Sequence, residues 1–344
     1  METPSTKTPP LVHTCGVTIA VTGSIATDQL MTYAGKFADS LIADQLDKIS
    51  VSYLVEELEI RRGGCAANIA YGLGQFGHHP VLIGSVGKDF DESGYRAWLV
   101  SNGVNCEGLL VSETTYTARF VCTTDSAMAQ FASFYTGAMA EARCIELAPL
   151  AAASGGFDLV VVSPNDPEAM VRHTVECREL GIPFAADPSQ QLAWAEGDMI
   201  RELIDGAAYL FSNDYEEQLI EQKTGWSAAD VQARVHTRVV THGADGAYVY
   251  PPDAEPVFVK ALADVTAVDP TGVGDSFRSG FLAAIEVGLG LERAAEVGCT
   301  VAAGVIESVG TQEYTLRAEP FLARARASYG DASAEEITAS RLFV

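Results

Sequence analysis

Short runs of β-branched residues alternate with stretches of helical periodicity along most of the chain, and this alternation constrains the fold more than any other feature. Residues 166–180 and 214–223 begin with an acidic or capping residue and carry apolar side chains at helical spacing. Strands and helices in alternation are typical of a mostly parallel sheet with helices on both faces. The sequence therefore predicts a three-layer α/β/α sandwich. The predicted strands are residues 17–22, 81–86, 159–163, 184–187, 209–212 and 239–242.

Two segments depart from this alternation, residues 48–60 and residues 116–135. Both read as antiparallel strands, and the second is divided by turn residues at positions 125–127. Because they are inserted between strand–helix units, we expect a small separate sheet over about residues 29–62 and 114–136. A sheet in that position is suited to act as a lid over a site.

The ends of the chain differ in composition from its middle. Residues 1–16 are rich in Pro and Thr and show no periodicity, which predicts a disordered leader. We expect one folded domain over residues 17–344, mostly helical from about residue 275 onward.

Charge and cysteine content exclude several classes of protein. Acidic residues outnumber basic ones by 46 to 22, a net charge of −24, and such a field repels the phosphates of nucleic acids. The seven cysteines include no C-x-x-C pair, so we expect reduced thiols rather than a zinc or redox motif. No uncharged apolar run reaches ~18 residues and the first residues lack the apolar region of a secretory signal. These features predict a cytoplasmic protein without a membrane partner.

Residues 72–77 satisfy the dinucleotide-binding pattern G-x-G-x-x-G. In a nicotinamide-dependent oxidoreductase this pattern follows a strand and opens a helix. Here the glycines end a helical stretch and lead into a predicted strand, which favours a helix C-terminus at Gly77. The signatures of P-loop NTPases, protein kinases, serine hydrolases and zincins are absent from the sequence.

Residues 269–277, which read D-P-T-G-V-G-D-S-F, precede an apolar run that predicts a helix. The backbone N–H groups of such a turn, with the positive end of the helix dipole, form an anion site suited to a phosphoryl group. A carboxylate at its mouth, Asp275, takes a proton from an attacking alcohol. The amides of Gly272, Val273 and Gly274 then stabilise the transferred group. The alternative interpretation is a Gly-rich turn with a capping Asp.

A second glycine-rich segment, residues 63–70, reads G-G-C-A-A-N-I-A and is followed at fixed distances by Gly77 and Gly87. It resembles the first signature of the PfkB (ribokinase-like) carbohydrate kinases, and residues 269–282 resemble their second. The second differs at Val273, where the family usually has Ala, Ser or Gly. The resemblance spans about residues 17–311 and implies a ribokinase-like fold.

Two further elements resemble the ATP side of this family. Asn213-Asp214-Tyr215-Glu216 is similar to its N-x-x-E element near magnesium and phosphate, and residues 241–246 are similar to its nucleotide-side turn. The ATP-binding residues that the resemblance implies are Asn213, Glu216, Thr241, Gly243, Gly246, Gly272 and Gly274.

The resemblance also implies properties for which the spacing of residues gives no separate argument. One is Mg²⁺ bound with ATP, and another is a monovalent cation such as K⁺ around Asp269 and Thr271. A third is a homodimer formed through the lid strands, whose unpaired edges are open to partner strands.

The acceptor pocket distinguishes the sugar, nucleoside and vitamin kinases of this fold. Asp28 follows the first predicted strand, where open α/β sheets bind ligands, and its carboxylate can accept hydrogen bonds from a vicinal diol. A helix or turn cap is the alternative role for Asp28. With Ser24 in the same segment, Asn68 and the backbone of Gly64 complete the implied ribose clamp.

Aromatic and amide side chains favour a nucleoside over a plain sugar. Phe120 and Phe134 alternate with polar residues on the predicted lid and either stack on a purine base or pack within the lid. Gln190 and Gln191 follow a strand end, where their amides can bind base edges or ribose. Arg119 either reaches the transferred phosphate on lid closure or is a surface charge of its strand.

Five segments together resemble the bacterial, actinobacterial-type adenosine kinases. This implies transfer of the ATP γ-phosphoryl group to the 5′-hydroxyl of adenosine, with Asp275 as general base. Two alternatives remain open: a ribokinase or another sugar or nucleoside kinase of the same fold, and a catalytically silent nucleoside-binding regulator. The five segments are residues 17–28, 117–120, 129–138, 165–170 and 185–193.

Overall fold

The computed structural model describes residues 18–40 and 50–343, and its strands form two sheets. In chain order the strands are β1 (Ile19–Thr22), β2 (Ala26–Tyr33), β3 (Glu57–Gly63), β4 (Val81–Gly87), β5 (Leu109–Ser112), β6 (Ala118–Asp125), β7 (Gln130–Tyr135), β8 (Leu159–Val162), β9 (Phe184–Ala186), β10 (Tyr209–Asn213), β11 (Thr237–Thr241), β12 (Gly246–Tyr250) and β13 (Val257–Lys260).

The main sheet has nine strands in the order β13-β12-β11-β10-β9-β8-β1-β4-β5. Its strands pair in parallel from β11 to β5, whereas β12 and β13 pair antiparallel at one edge. The chain first extends the sheet to one side of β1, through β4 and β5, and then to the other, through β8. Ligands of open α/β sheets bind at the carboxyl ends of the strands beside such a reversal.

Helices cover both faces of the main sheet. They are α1 (Phe37–Ser40), α2 (Cys65–Gln75), α3 (Asp89–Glu92), α4 (Tyr95–Ser101), α5 (Leu147–Ala153), α6 (Pro167–Leu180), α7 (Gly197–Ile204), α8 (Asp214–Thr224), α9 (Ala228–Arg234), α10 (Val273–Glu286), α11 (Leu291–Ile306), α12 (Ala318–Tyr329) and α13 (Asp331–Ala339), with short 3-10 helices at Gly137–Cys144, Ser189–Ala193 and Gly243–Asp245.

Successive side chains of the central strands point to opposite faces, which creates two apolar cores. Val21 and Val161 belong to the core with α2, α10 and α11, whereas Ala20 and Val160 belong to the core with α5, α6 and α7. The predicted three-layer arrangement with a mostly parallel sheet and a small additional sheet is confirmed.

The second sheet, which we call the lid, has the order β3-β2-β6-β7. Within the segment predicted over residues 116–135, β6 and β7 are antiparallel as predicted. The strand β2 lies outside both predicted segments; it pairs antiparallel with β3 and parallel with β6. The strands β2 and β6 come from distant parts of the chain and meet without a hairpin to fix their direction.

Most differences from the predicted elements lie at the edges of the sheets. The strand predicted over residues 48–60 begins only at Glu57; residues 50–56 are not strand, and residues 41–49 lie outside the described part. Three short strands, β5, β12 and β13, were not predicted. β5 and β13 form the two edges of the main sheet, where the apolar pattern of a strand is weak. The predicted leader, residues 1–16, also lies outside the described residues.

The G-x-G-x-x-G segment ends a helix instead of opening one. Gly72 and Gly74 lie inside α2, and Gly77 follows its end with a φ of 89° before the chain enters β4. Dinucleotide pyrophosphate binding needs the opposite polarity, so the oxidoreductase alternative loses its structural support.

Two findings concern the whole of the described chain. Its six cysteines are all unpaired: Cys106, Cys122, Cys177 and Cys299 are buried, Cys65 is half-buried and Cys144 is exposed. Among residues 18–40 and 50–343, no helix has both the length and the apolar character needed to cross a membrane.

Candidate active site

A cavity of about 950 Å³ lies at the carboxyl ends of the parallel strands, between the main sheet, the lid and the start of α10. Segments that follow β1, β8, β9 and β10, and the last residue of β11, contribute to its wall. Distant parts of the chain thus meet at one place. Of the predicted site residues, those that line it are Ser24, Asp28, Gly64, Asn68, Phe120, Phe134, Gln190, Gln191, Asn213, Glu216, Thr241, Gly272, Gly274 and Asp275.

Asp275 lies in the first turn of α10 and faces this cavity. The surrounding protein displaces water from the carboxyl group and raises its pKa to about 7, with a further increase from the charge of Asp187. Hydrogen bonds from Asn68 and Cys65 and the charge of Arg278 act in the opposite direction. A carboxyl group with a pKa near neutral pH is well matched to proton transfer from an alcohol.

The turn before α10 depends on a glycine at position 272. Gly272 has a φ of 73°, and a Cβ there would lie 2.8 Å from the Thr311 side chain. A larger residue would therefore be strained both by its backbone conformation and by contact with Thr311. The first N–H groups of a helix have no intrahelical acceptor, so a turn of this kind offers backbone amides to an anion. The N–H of Val273 is directed at the carbonyl of Pro270 over 3.4 Å, and Val273 does not line the cavity. Gly272 and Gly274 do.

Arg278 is a site residue that the sequence analysis missed. It follows Asp275 by one helical turn, is buried, and donates from Nη2 to Asp187 Oδ1 over 2.6 Å. Its Nη1 donates to the carbonyl of Gly274 over 3.1 Å, which ties the glycine turn to the helix. A charged residue inside an apolar helix was the available signal, because such residues are seldom buried without a partner.

Asp28 lies within strand β2 of the lid, not in a cap or turn after the first strand. It is opposite Arg61 on β3 and Phe120 on β6. Burial raises the pKa of Asp28 to about 6, as do the charges of Asp269 and Glu313, while Arg61 lowers it. The carboxylate therefore remains available at neutral pH as an acceptor for hydroxyl groups.

The first glycine signature forms the junction between β3 and α2. Gly64 has a φ of 99°, and a Cβ there would lie 2.5 Å from the carbonyl oxygen of Ser24. Ser24 Oγ accepts a hydrogen bond from the N–H of Cys65 over 3.0 Å, which holds the start of α2 beside the end of β1. This junction places Asn68 one turn into the helix, facing Asp275.

Phe120 and Phe134 are directly opposed on the paired strands β6 and β7, and both line the cavity. Phe134 is 49% exposed, so little of the lid packs on it. Two aromatic rings on a half-open cavity wall provide surfaces on which a flat ring can stack.

Gln190 and Gln191 belong to the short 3-10 helix that follows β9. Gln191 donates from Nε2 to the carbonyl of Asn165 over 2.7 Å, and the carboxamide of Gln190 lies 3.8–3.9 Å from the Cys65 sulfur. Asn165 Nδ2 is buried with no acceptor among the described residues and lines the same cavity. An unpaired buried donor there is suited to a ligand acceptor.

Asn213 and Glu216 form a capping box at the start of α8. Glu216 Oε2 accepts the N–H of Asn213 over 2.8 Å, and Asn213 Oδ1 accepts the N–H of Glu216 over 2.7 Å. The pattern therefore has a structural role as well as a place on the cavity wall. Thr241 lines the same wall at the end of β11.

Gly243 and Gly246 lie farther along the same edge of the sheet. Both have positive φ values, 54° and 125°; Gly243 begins the 3-10 helix after β11 and Gly246 follows it. A second cavity of about 690 Å³ is formed there, with Tyr248, Phe258 and Lys260 in its wall. The two glycines line neither cavity, although Ala244 and Asp245 between them line the second.

Arg119 does not line the cavity. Its neighbour Phe120 does, and adjacent residues of a strand point to opposite faces. Arg119 donates to Asp89 over 2.7 Å and lies over the Tyr116 ring. The role of Arg119 at the transferred phosphate on lid closure remains a prediction. Arg143, which sequence reasoning missed, lines the cavity and pairs with Asp166 over 2.5 Å.

Asp269 organises the loop before the glycine turn. Its two carboxylate oxygens accept the N–H groups of Thr271 and Gly310, each over 2.9 Å. Burial raises the pKa of Asp269, but these hydrogen bonds outweigh burial and leave it below its ordinary value. The predicted monovalent cation remains a prediction. In the described ranges no group of three or more His, Cys, Asp or Glu side chains is arranged to hold a metal ion.

Comparison with known proteins places this chain among kinases. The profile of the pfkB family carbohydrate kinases matches residues 25–318. The nucleoside kinase of Burkholderia thailandensis, solved in complex with inosine, is 33% identical and superposes with a TM-score of 0.78, covering 92% of this chain and 99% of its own. The nucleoside kinase of Methanocaldococcus jannaschii is 30% identical over 73% of this chain and 80% of its own. An ATP-dependent ribose-1-phosphate kinase of Halopiger xanaduensis is 32% identical over 68% of this chain and 76% of its own.

Proposed function

The chain belongs to the PfkB family of carbohydrate kinases, and from that premise we propose that it is an ATP-dependent nucleoside kinase with adenosine as its preferred acceptor. The reaction would transfer the γ-phosphoryl group of ATP to the nucleoside 5′-hydroxyl, giving AMP and ADP. The observation that carries the proposal is one cavity that holds Asp275, the glycine turn, the ribose-binding candidates and two aromatic rings.

Asp275 acts as the general base in this proposal. The bound 5′-hydroxyl donates its proton to the carboxylate while its oxygen attacks the γ-phosphorus in line with the leaving ADP. Amides of the turn at Gly272 and Gly274 stabilise the charge of the phosphoryl group in flight. The Arg278–Asp187 pair holds this turn through the carbonyl of Gly274.

The acceptor binds between α2 and the lid. Asp28 accepts hydrogen bonds from the ribose 2′- and 3′-hydroxyls, and the backbone of Gly64 and the amide of Asn68 lie along the same wall. The base stacks on Phe120 and Phe134. Asn165 and Gln191 supply amides near the other side of the cavity, which supports a nitrogen-rich base over a plain sugar.

ATP enters from the side of β10 and β11. The second cavity, with Tyr248 and Phe258, supports a place for the adenine of ATP; Thr241 lines the first cavity and its neighbour His242 lines the second. Asn213 and Glu216 present oxygen atoms on this side, the ligand type that Mg²⁺ takes when phosphates complete its shell. Mg²⁺ bound with ATP neutralises phosphate charge.

We further propose a cytoplasmic homodimer formed through the lid. Leu58 and Ile60 on β3 are 56% and 64% exposed, and Phe131 on β7 is 51% exposed. All three alternate with residues of the cavity face and therefore lie on the outer face of the lid. An exposed apolar sheet face whose edge strands, β3 and β7, have no further partner strand among the described residues is suited to association with a second copy. The unpaired cysteines fit a reducing compartment.

The test is release of ADP from ATP and Mg²⁺ with a panel of acceptors and a control without acceptor. The panel contains adenosine, inosine, guanosine, cytidine, ribose, fructose and ribose 1-phosphate. We expect adenosine to give a kcat/KM at least tenfold above every other acceptor. Higher turnover with another nucleoside would overturn the preference for adenosine but not the nucleoside kinase activity. Turnover with ribose or fructose only would support the sugar-kinase alternative. Tight adenosine binding without ADP release would support the regulator.

A further inference from the structure

The carboxamide of Asn68 is held from both ends. Its Nδ2 donates to Asp275 Oδ2 over 2.8 Å, and its Oδ1 accepts from Gln312 Nε2 over 3.0 Å. If the carboxamide were turned over, its oxygen would face the Asp275 carboxylate and two acceptors would be in contact. The direction of this amide therefore decides whether the base is supported or repelled.

The orientation of the Asn68 carboxamide is determined by a chain of buried hydrogen bonds, because each bond has a donor and an acceptor end. The carbonyl of Gly63 can only accept, so Tyr95 must donate its one hydroxyl hydrogen to it over 2.9 Å. The Tyr95 oxygen is then an acceptor, and the Gln312 group that lies 2.6 Å from it must be the NH₂. The second hydrogen of that NH₂ faces Asn68, which must present its oxygen. Each bond thus determines the direction of the next, from a backbone carbonyl to Asp275.

The orientation of Gln312 leaves one of its own atoms unsatisfied. Gln312 is fully buried, and its Oε1 has no donor among the described residues. Buried acceptors without a donor are rare because they lower stability. The unsatisfied Oε1 of Gln312 is explained if its NH₂ group must point toward Tyr95 and Asn68.

Thr311 supports the same arrangement. Its hydroxyl lies 2.8 Å from Asn68 Oδ1 and 2.9 Å from the carbonyl of Arg62, two acceptors between which it shares its single hydrogen. A hydroxyl donor at this place stabilises the oxygen of Asn68 in the observed position.

We propose that Tyr95 and Gln312 are positioning residues, which fix the Asn68 carboxamide with its NH₂ group toward Asp275 and so hold the general base in place. This inference rests on the proposed function for the role of Asp275. It concerns residues that do not line the cavity, since neither Tyr95 nor Gln312 is part of its wall.

The other groups that face Asp275 are separate from this chain of hydrogen bonds. They are Arg278 on its own helix, Asp187 after β9, the Cys65 thiol on α2 and the Tyr314 hydroxyl in the loop before α12. A change at Tyr95 or Gln312 leaves all four in place. A shift in the titration of Asp275 would then report the Asn68 amide.

The experiment compares Tyr95→Phe with Tyr71→Phe, a matched control. Both hydroxyls are buried and donate to backbone carbonyls, but Tyr71 donates to Tyr314 over 2.6 Å and has no bond to Gln312 or Asn68. Gln312→Met, which removes both donors, is the second test variant. Thermal unfolding of each variant is recorded first, so that folded protein is compared.

Two measurements report the protonation of Asp275. One is the pH profile of kcat/KM, and the other is a ¹³C NMR titration of the Asp275 carboxyl without substrates, assigned with Asp275→Asn. We expect Tyr95→Phe and Gln312→Met to move the acidic limb and the carboxyl titration upward by about one pH unit, a ~tenfold change in proton affinity. Tyr71→Phe is expected to move neither.

A uniform loss of activity at all pH values without a shift would overturn the proposal, as would an equal shift in Tyr71→Phe. If the wild-type protein phosphorylates no acceptor, the proposed function fails. The NMR titration still decides whether Tyr95 and Gln312 control the Asp275 carboxyl group.

Discussion

Arg278 and Asp187 form a buried ion pair between helix α10 and the end of strand β9, with Nε and Nη2 of the guanidinium each 2.6 Å from a carboxylate oxygen. Both side chains are less than a tenth exposed. Because the guanidinium also holds the carbonyl of Gly274, this pair connects the stability of the core to the shape of the glycine turn.

Asp187→Asn is expected to lower the free energy of unfolding by about 3–5 kcal/mol, since it leaves a buried guanidinium without its counter-charge. Urea unfolding at neutral pH measures the change. Asp331→Asn is the matched control, because Asp331 pairs with Arg326 on the exposed surface and should contribute less than ~1 kcal/mol. Equal small losses in both variants would contradict a structural role for the buried pair.

Asp275→Asn is expected to reduce kcat by about 10²- to 10⁴-fold, because Asn cannot accept the proton of the attacking hydroxyl. The loss should fall mainly on kcat, with adenosine still bound. Steady-state kinetics and calorimetric titration of adenosine separate the two effects. Turnover within a factor of a few of wild type would rule out Asp275 as the base.

Asp275 also makes stability depend on pH. Its pKa is raised in the folded protein from 3.8 to about 7, chiefly by burial, so between these values the folded state holds a proton that the unfolded state has lost. The contribution of Asp275 to the free energy of unfolding is therefore fully present below pH ~4 and is lost as the pH rises to ~7. We expect Asp275→Asn to gain stability relative to wild type over that interval, as measured by urea unfolding at several pH values. A difference that is constant with pH would contradict the raised pKa.

Phe134→Ala is expected to raise the KM for adenosine by about tenfold, because stacking of a base on an aromatic ring contributes ~1–3 kcal/mol. The expected effect on ribose, which has no base, is small. Phe131→Ala on the same strand is the control, since Phe131 packs on Phe37 and Tyr53 on the outer face of the lid. If both variants change the KM equally, stacking on the cavity face is not the cause.

Ile60→Lys is expected to convert the proposed dimer to a monomer, because it places a charge on the apolar outer face of the lid, on the edge strand β3. Size-exclusion chromatography with light scattering measures the mass. Leu180→Lys is the control: it changes an equally apolar exposed residue at the end of α6, away from the lid. A wild-type protein that is monomeric at all concentrations would exclude the lid dimer.

The features that the sequence determined by itself are those set by near neighbours in the chain. The glycine turn before a helix could be recognised because such a turn depends on a few adjacent residues, and the second glycine-rich segment was identified by its resemblance to a family signature. Asp275 was expected at the mouth of that turn, before the helix, whereas α10 begins at Val273 and includes Asp275 in its first turn. Six of the main strands were predicted because buried parallel strands consist of nearly continuous β-branched runs. The end of a helix just before Gly77 likewise followed from local residue types, with α2 ending at Gln75.

Only the tertiary structure decided which side chains meet. Arg119 and Phe120 are adjacent, and strand alternation predicts opposite faces for them, but the pairing of β6 with β2 and β7 determines which face closes the cavity. Gln312 acts on Asn68 across 244 residues, and Arg278 on Asp187 across 91. Hydrogen bonds and ion pairs of this range depend on the packing of whole layers, and no local pattern in the sequence encodes them.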